Sequence, residues 1–378
     1  MSTDNLNTPF MRALAAGIAA NVPTLMWGGP GEIKTAFTEN ASKTWGRECK
    51  TIVGSTREAP DFLGVMVENN GTISYSTFNW VTELNDAAQG LLFLDEFNTA
   101  APSTMKGMLR VVQERYVGDV KLNDSVAILA AANPVESAVD AYDLPAPMAN
   151  RMMHLDWVFP EEFWLENIAT DFKNVVYPQL SSLLTGDAVT RRANVAGAVT
   201  AYHKHNKGQL KPGVPTTDGQ VDPVKAGKAW ASPRSWSNVI AVLSQLEAHD
   251  EEAALLVLKG LVGNHAIAFI EWLKKADLHD PAEVIDNPSM VDWKNERPDR
   301  LFALVHGVAA LGLSKPELWE KAALALTACA ENGKADVATP SAAKLMNFRP
   351  AKAVMPLAFR DAFAPLFSKT MHTVSAAV

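Results

Sequence analysis

The sequence predicts an α/β protein: a mostly parallel sheet with helices on both faces, followed by an all-helical lid and a helical C-terminal extension. Three observations carry that expectation. Short, fully apolar runs alternate with helical stretches over the first 158 residues, as strands buried on both faces do. One of those runs ends in Gly28-Gly29-Pro30-Gly31, a tight strand-to-helix turn. Beyond about residue 160 strand signals almost vanish.

Taken in order, residues 8–21 are rich in Ala and Leu and stop at Asn-Val-Pro, which predicts a helix. Residues 23–27 then read as a strand and 33–45 as a helix. The β-branched run at 51–53 predicts a second strand. Asn69-Asn70-Gly71, followed by alternating Ile73 and Tyr75, predicts a β-hairpin over 68–76. Leu91–Leu94 and Ala127–Ala132 complete the buried strands, the first ending in two acids and the second in Asn-Pro. Helices are expected over 160–205, 234–276 and 299–330. Residues 206–233, with Gly208, Pro212, Gly213, Pro215 and Gly219, read as an inserted loop. The domain expectation is a nucleotide-binding α/β domain over 1–158, a helical lid over 159–290 containing that loop, and an extension over 291–378.

Composition narrows the classes. The chain has 378 residues, 48% hydrophobic and 20% charged, as packed proteins do. No apolar run is long enough to span a bilayer, and the N-terminal MSTDNLNTPF lacks the basic cluster of a secretory signal. Two distant cysteines, Cys49 and Cys329, give no disulfide framework, so a reducing cytoplasmic setting is the expectation. The net charge of −8 repels a phosphate backbone and argues against nucleic-acid binding.

Three constellations carry chemistry. Gly28-Gly29-Pro30-Gly31-Glu32-Ile33-Lys34-Thr35 matches the phosphate-loop pattern except that Ile33 replaces the second fixed glycine. Backbone N–H groups from Gly28 to Thr35, with Ala36 in the following helical turn, form an anion hole. In such a loop Lys34 reaches the β- and γ-phosphates and the Thr35 hydroxyl ligates Mg2+. The plain alternative is a glycine-rich turn with an accidental Lys-Thr. Second, the strand Leu91–Leu94 delivers Asp95 and Glu96 at its carboxyl end, where ligands sit in open α/β sheets. Asp95 suits a Mg2+ shell, and Glu96 suits the polarising of a water for attack on the γ-phosphate. Third, Ile128–Ala132 ends in Asn133, whose amide is placed to orient that water. An Asn before Pro is otherwise a routine turn residue.

With these motifs in order, the chain resembles the AAA+ ATPases, and among them the MoxR-like family, from about residue 8 to residue 300. Pro60-Asp61-Phe62-Leu63-Gly64 and the Gly71 hairpin lie where that family inserts a hairpin into its second helix. Glu114-Arg115 follows the acidic strand end as in the family. The resemblance makes Asn133 the sensor-1 residue. It makes Arg151, within Leu144-Pro145 to Asn150-Arg151, the arginine finger offered to a neighbouring subunit. It makes Arg234, within Ala231-Ser232-Pro233-Arg234, the sensor-2 residue of the lid. Two departures stand out: Ile33 in place of a small residue, and Asn150-Arg151-Met152 in place of Asp-Arg-Phe. The resemblance implies ATP and Mg2+ as cofactors, hydrolysis in a homo-oligomeric ring, most simply a hexamer, and chaperone-like work with a von Willebrand factor A-domain partner.

Two rival readings follow. A nucleic-acid motor similar to McrB-type relatives shares the hairpin, but residues 64–80 contain no Lys or Arg. A nucleotide-binding scaffold without turnover is motivated by Ile33 and opposed by Glu96. His203 and His205, two apart, face different sides of a helix and predict no metal site. Lysines 204, 207, 211, 225 and 228 read as a solvated face, because no aromatic residue interleaves with them.

Overall fold

The computed structural model describes residues 6–138, 140–158, 161–170, 172 and 175–364. Parts of the N-terminal segment and of the expected C-terminal extension, residues 1–5 and 365–378, lie outside these. The chain forms two compact units, one of residues 1–186 with 211–266 and the other of 187–210 with 267–378.

Along the chain, α1 (Pro9–Ala19) precedes β1 (Thr24–Trp27), α2 (Lys34–Thr44) and β2 (Glu48–Val53). Then come α3 (Pro60–Leu63), the hairpin β3 (Val65–Asn69) and β4 (Thr72–Ser76), α4 (Asn79–Asp86) and β5 (Gly90–Asp95). After α5 (Pro102–Glu114) a two-residue ribbon, β6 (Tyr116–Val117) with β7 (Val120–Lys121), leads to β8 (Val126–Ala132), α6 (Ala146–Ala149) and β9 (Met153–Asp156). The remaining elements are α7 (Glu161–Asn167), α8 (Ala188–His205), the ribbon β10 (Thr216–Thr217) and β11 (Gln220–Val221), and α9 (Pro223–Ala226). Helices α10 (Pro233–Leu243), α11 (Glu251–Val262), α12 (His265–Ala276), α13 (Pro281–Asp286), α14 (Pro298–Ser314), α15 (Trp319–Cys329), α16 (Ala335–Asn347) and α17 (Leu357–Ala362) follow.

The first unit is built on a five-stranded sheet in the order β2-β5-β8-β1-β9, every pair parallel. Alternate residues supply the two faces. Leu92, Leu94, Ile128 and Ala130 pack on Met105, Met108 and Val111 of α5. Their neighbours Leu91, Phe93, Ala127 and Leu129 are equally buried on the opposite face, where α1 and α2 lie. Each large apolar side chain removed from water contributes about 1.5–3 kcal/mol. Continuous apolar strands and helices on both faces therefore have one cause. Thr8 caps α1 by accepting from Met11 N at 3.2 Å, and Pro9 sits where a missing N–H costs nothing.

Four expectations are corrected. The helix expected over 160–205 is not continuous: α7 and α8 are separate, and between them lie two 3-10 turns, Ile168–Thr170 and Leu180–Ser182. Pro178 and Gly186 interrupt it, and Asp187 restarts it by accepting from Thr190 N at 3.1 Å. Within 206–233 the turn Asp218-Gly219, both at positive φ, closes the β10–β11 ribbon, and Asp222 caps α9. The stretches expected to be helical over 234–276 and 299–330 are likewise divided, the first into α10, α11 and α12 and the second at Lys315-Pro316 into α14 and α15. The sequence also gave no sign of β9, a four-residue edge strand recognisable only from its pairing with β1.

In the second unit α8 lies close against α14. A Cβ at Gly197 would stand 2.5 Å from the Ala303 carbonyl oxygen, so only glycine permits that approach. Trp319, fully buried, donates its indole N–H to Leu345 O at 3.0 Å and ties α15 to α16. No described helix is long and apolar enough to cross a membrane.

Candidate active site

The parallel register brings Trp27, Asp95, Ala132 and Asp156 to one edge of the sheet. The chain after β1 crosses β8 and β5 to reach β2, whereas the chain after β8 passes β1 to reach β9; the neighbours β1 and β8 thus send it in opposite directions, the arrangement that opens a crevice at their ends. Gly28–Ile33 forms the loop at that crevice, and α2 begins at Lys34.

Lys34 is 7% exposed and donates to the Gly28 and Gly29 carbonyls at 2.7 and 2.6 Å and to Asn133 Oδ1 at 3.3 Å. Burial lowers its pKa, while Glu32 and Asp95 act to raise it. The Thr35 hydroxyl donates to Asp95 Oδ2 at 2.5 Å, and Asp95 Oδ1 accepts from Glu96 N at 2.9 Å. The Glu32 carboxylate lies over Gly28 and Gly29, and Trp157 braces the loop by donating to Glu32 O at 3.0 Å. Ile33 takes the left-handed φ of 55° that the pattern's glycine normally supplies. Lys34, Thr35, Asp95 and Asn133 are thus brought together, with Glu96 adjoining.

Two participants, Ser55 and Trp157, carried no sequence signal, while Asn98 closes the Leu91–Asn98 stretch that resembles the family's acidic strand motif. Ser55 donates its hydroxyl to the Glu96 carboxylate. Asn98, fully buried, donates to Asn133 O at 2.8 Å and accepts from Asn133 N at 3.0 Å, fixing the strand end on which the Asn133 amide stands. Trp157 packs edge-on to Phe10 and Phe37 with centroids 5.4 and 4.8 Å apart. A lone Ser or Trp outside a motif says nothing until the fold places it.

Arg151 and Arg234 form a second group. Asn150 donates to Trp230 O at 2.8 Å and accepts from the Ser232 hydroxyl at 2.7 Å, joining the end of α6 to the start of α10. Ser232 and Ser235 cap α10 reciprocally, leaving Arg234 exposed in its first turn. Arg151 donates to Pro147 O and has a buried Nε without a hydrogen-bond partner. Burial, and then the charge of Arg234, lower its pKa. Among the described residues neither arginine bonds to the loop 28–36.

No group of three or more His, Cys, Asp or Glu residues is placed to hold a metal among the described residues. One hydroxyl and one carboxylate, Thr35 and Asp95, instead suit Mg2+, which keeps waters and shares its shell with phosphate oxygens.

No family model matches the chain, and no curated protein matches it. Among solved structures it is similar to the crystal structure of a "putative ATPase" from Cytophaga hutchinsonii, at 18% identity and a TM-score of 0.44, over 70% of this chain and 88% of that one. Fold and site here define a parallel α/β protein with a phosphate-loop crevice, on the geometry above alone.

Proposed function

We propose that the protein is a MoxR-like AAA+ ATPase whose active site is completed between subunits of a ring, most simply a hexamer. The observation that supports it most is the convergence of Lys34, Thr35, Asp95 and Asn133, with Glu96 adjoining, at the strand edge. In this reading Lys34 turns from the Gly28 and Gly29 carbonyls to the β- and γ-phosphates, and the loop N–H groups hold the remaining oxygens. Thr35 and Asp95 are the residues that would hold Mg2+, which would supply neutralisation of charge on the phosphates. Glu96, released from Ser55, takes the proton of the attacking water, which Asn133 orients. Arg151 and Arg234 stand near each other, and in this reading Arg151 is offered to a neighbouring subunit's nucleotide while Arg234 reaches the nucleotide from the lid.

A protein client, worked on with a von Willebrand factor A-domain partner, fits the acidic charge better than DNA or RNA does. The β3–β4 hairpin supports this: both strands are exposed throughout, Met66 and Ile73 at 66% and 67%, with no basic residue.

Phosphate release from ATP with Mg2+ tests the reading. The parent is expected to hydrolyse, and Glu96→Gln to bind nucleotide while turning over at least about 100-fold more slowly. Equal rates in the two proteins remove Glu96 from the mechanism, and a parent that binds without hydrolysing is the scaffold instead.

A further inference from the structure

A cavity of about 590 Å3 lies within the first unit at the β1–β9 edge of the sheet. Its walls come from the strand ends Trp27 and Asp156, from residues 212–216 and 224–231, and from the end of α11. It is not the phosphate-loop mouth. Trp27 and Asp156 are partners in register and share a face of the sheet. Trp157, the next residue, packs on the other face with Phe10 and Phe37, where α2 leaves the loop. Gly260 makes the far wall possible: a Cβ there would meet the His154 carbonyl oxygen at 2.2 Å, so α11 reaches β9 only through glycine.

The lining has a consistent chemistry. Lys225, Lys228, Lys259 and His265 face it against one acid, Asp156. Lys225 is paired with Asp222, but among the described residues Lys228 and Lys259 meet no carboxylate. The Lys228 ammonium instead stands 4.9 Å from the centre of the Trp27 ring, which leaves its charge available. Leu256, Val262 and Trp230 add apolar surface to the same lining. The Trp230 indole N–H is buried with no acceptor, a donor that a ligand atom would satisfy. Lys225 and Lys228, which the sequence alone assigned to a solvated face, thus line one cavity with two indoles, Trp27 and Trp230, the first of them in contact with Lys228.

We propose that this cavity is a second ligand site, for a planar heteroaromatic group carrying a phosphate. The phosphate lies among Lys228, Lys259 and His265, and the ring lies on the Leu256–Val262 wall with an acceptor toward Trp230 Nε1. The volume falls within the range of small-molecule sites. This assignment does not rest on the ATPase reading.

Calorimetric titration of AMP, adenosine and inorganic phosphate tests it, using Lys34→Ala protein so that the phosphate loop contributes little. AMP is expected to bind at one site, at least tenfold more tightly than adenosine or phosphate. Adding Lys228→Glu and Lys259→Glu, both exposed positions, is expected to weaken AMP tenfold or more; Trp230→Leu is expected to weaken AMP and leave phosphate unchanged. The assignment is overturned if the Lys34→Ala protein binds no AMP, if the lysine reversals leave AMP affinity unchanged, or if phosphate alone binds as tightly as AMP.

Discussion

At Ile33 and Glu96 the backbone takes left-handed φ values of 55° and 48°, and neither residue is glycine. Such a conformation costs an L-residue on the order of 1–2 kcal/mol, more for a β-branched one, and strain of this kind gathers at functional sites. Ile33 was legible as a departure from the loop pattern; that the loop keeps its geometry despite it was not. Asn150 is similar. Where the family has Asp, the amide both donates to Trp230 O and accepts from Ser232, and a carboxylate has no hydrogen to donate. His154 carries the residue-scale prediction. It accepts from the Trp27 indole at 2.9 Å and contacts Ala149 O at 2.9 Å, and complete burial pushes its pKa down to about 4. Because the folded value lies below the unfolded one, stability from the neutral ring is full above about pH 6.5 and is lost as pH falls toward about 4. Between pH 7 and pH 5 the parent is expected to lose about 2 kcal/mol more than His154→Gln, read from denaturation at both pH values. Equal losses would show that the His154 ring does not sense the change.

At the scale of elements, the apolar strands β1, β5 and β8 were legible because burial on both faces leaves an unbroken apolar run. The β3–β4 hairpin was legible from its turn, where Asn70 and Gly71 both adopt positive φ. Legibility failed where tertiary contacts decide. β9 exists because β1 offers an unpaired edge, and the break before α8 depends on Asp187 and on Thr185 N finding Gln245 O at 2.8 Å. The hairpin is tethered at its base, where Tyr75 N donates to Asp119 at 2.7 Å and Gly64 lies against Gly118. Its outer residues are therefore free to change. Met66→Ser with Ile73→Ser is expected to leave basal ATP hydrolysis within about twofold, since exposed substitutions shift stability by little. The same variant is expected to lose stimulation by a purified von Willebrand factor A-domain protein from the same genome. Full stimulation of the variant, or stimulation only by DNA or RNA with a steep salt dependence, would remove the hairpin from client recognition.

For the whole molecule, the two groups of functional residues have different legibility. The loop, Asp95, Glu96 and Asn133 announce themselves because phosphate chemistry demands those groups at strand ends. The arginine pair is separated by 83 residues of sequence, and only the Asn150–Ser232 link shows that Arg151 and Arg234 share a face. On the proposed reading Arg151 is the group that one copy offers to the site of the next. An arginine supplied in this way is worth on the order of 10³–10⁵ in rate in phosphate-loop enzymes. Arg151→Ala and Glu96→Gln are each expected to bind nucleotide and to be inactive alone. The most direct measurement mixes the two variants, shows by particle size that they co-assemble, and follows phosphate release. Activity that reappears in the mixture is the expected result, since an intact acid in one subunit then meets an intact arginine in the next. Mixed rings that remain inactive would contradict a shared site.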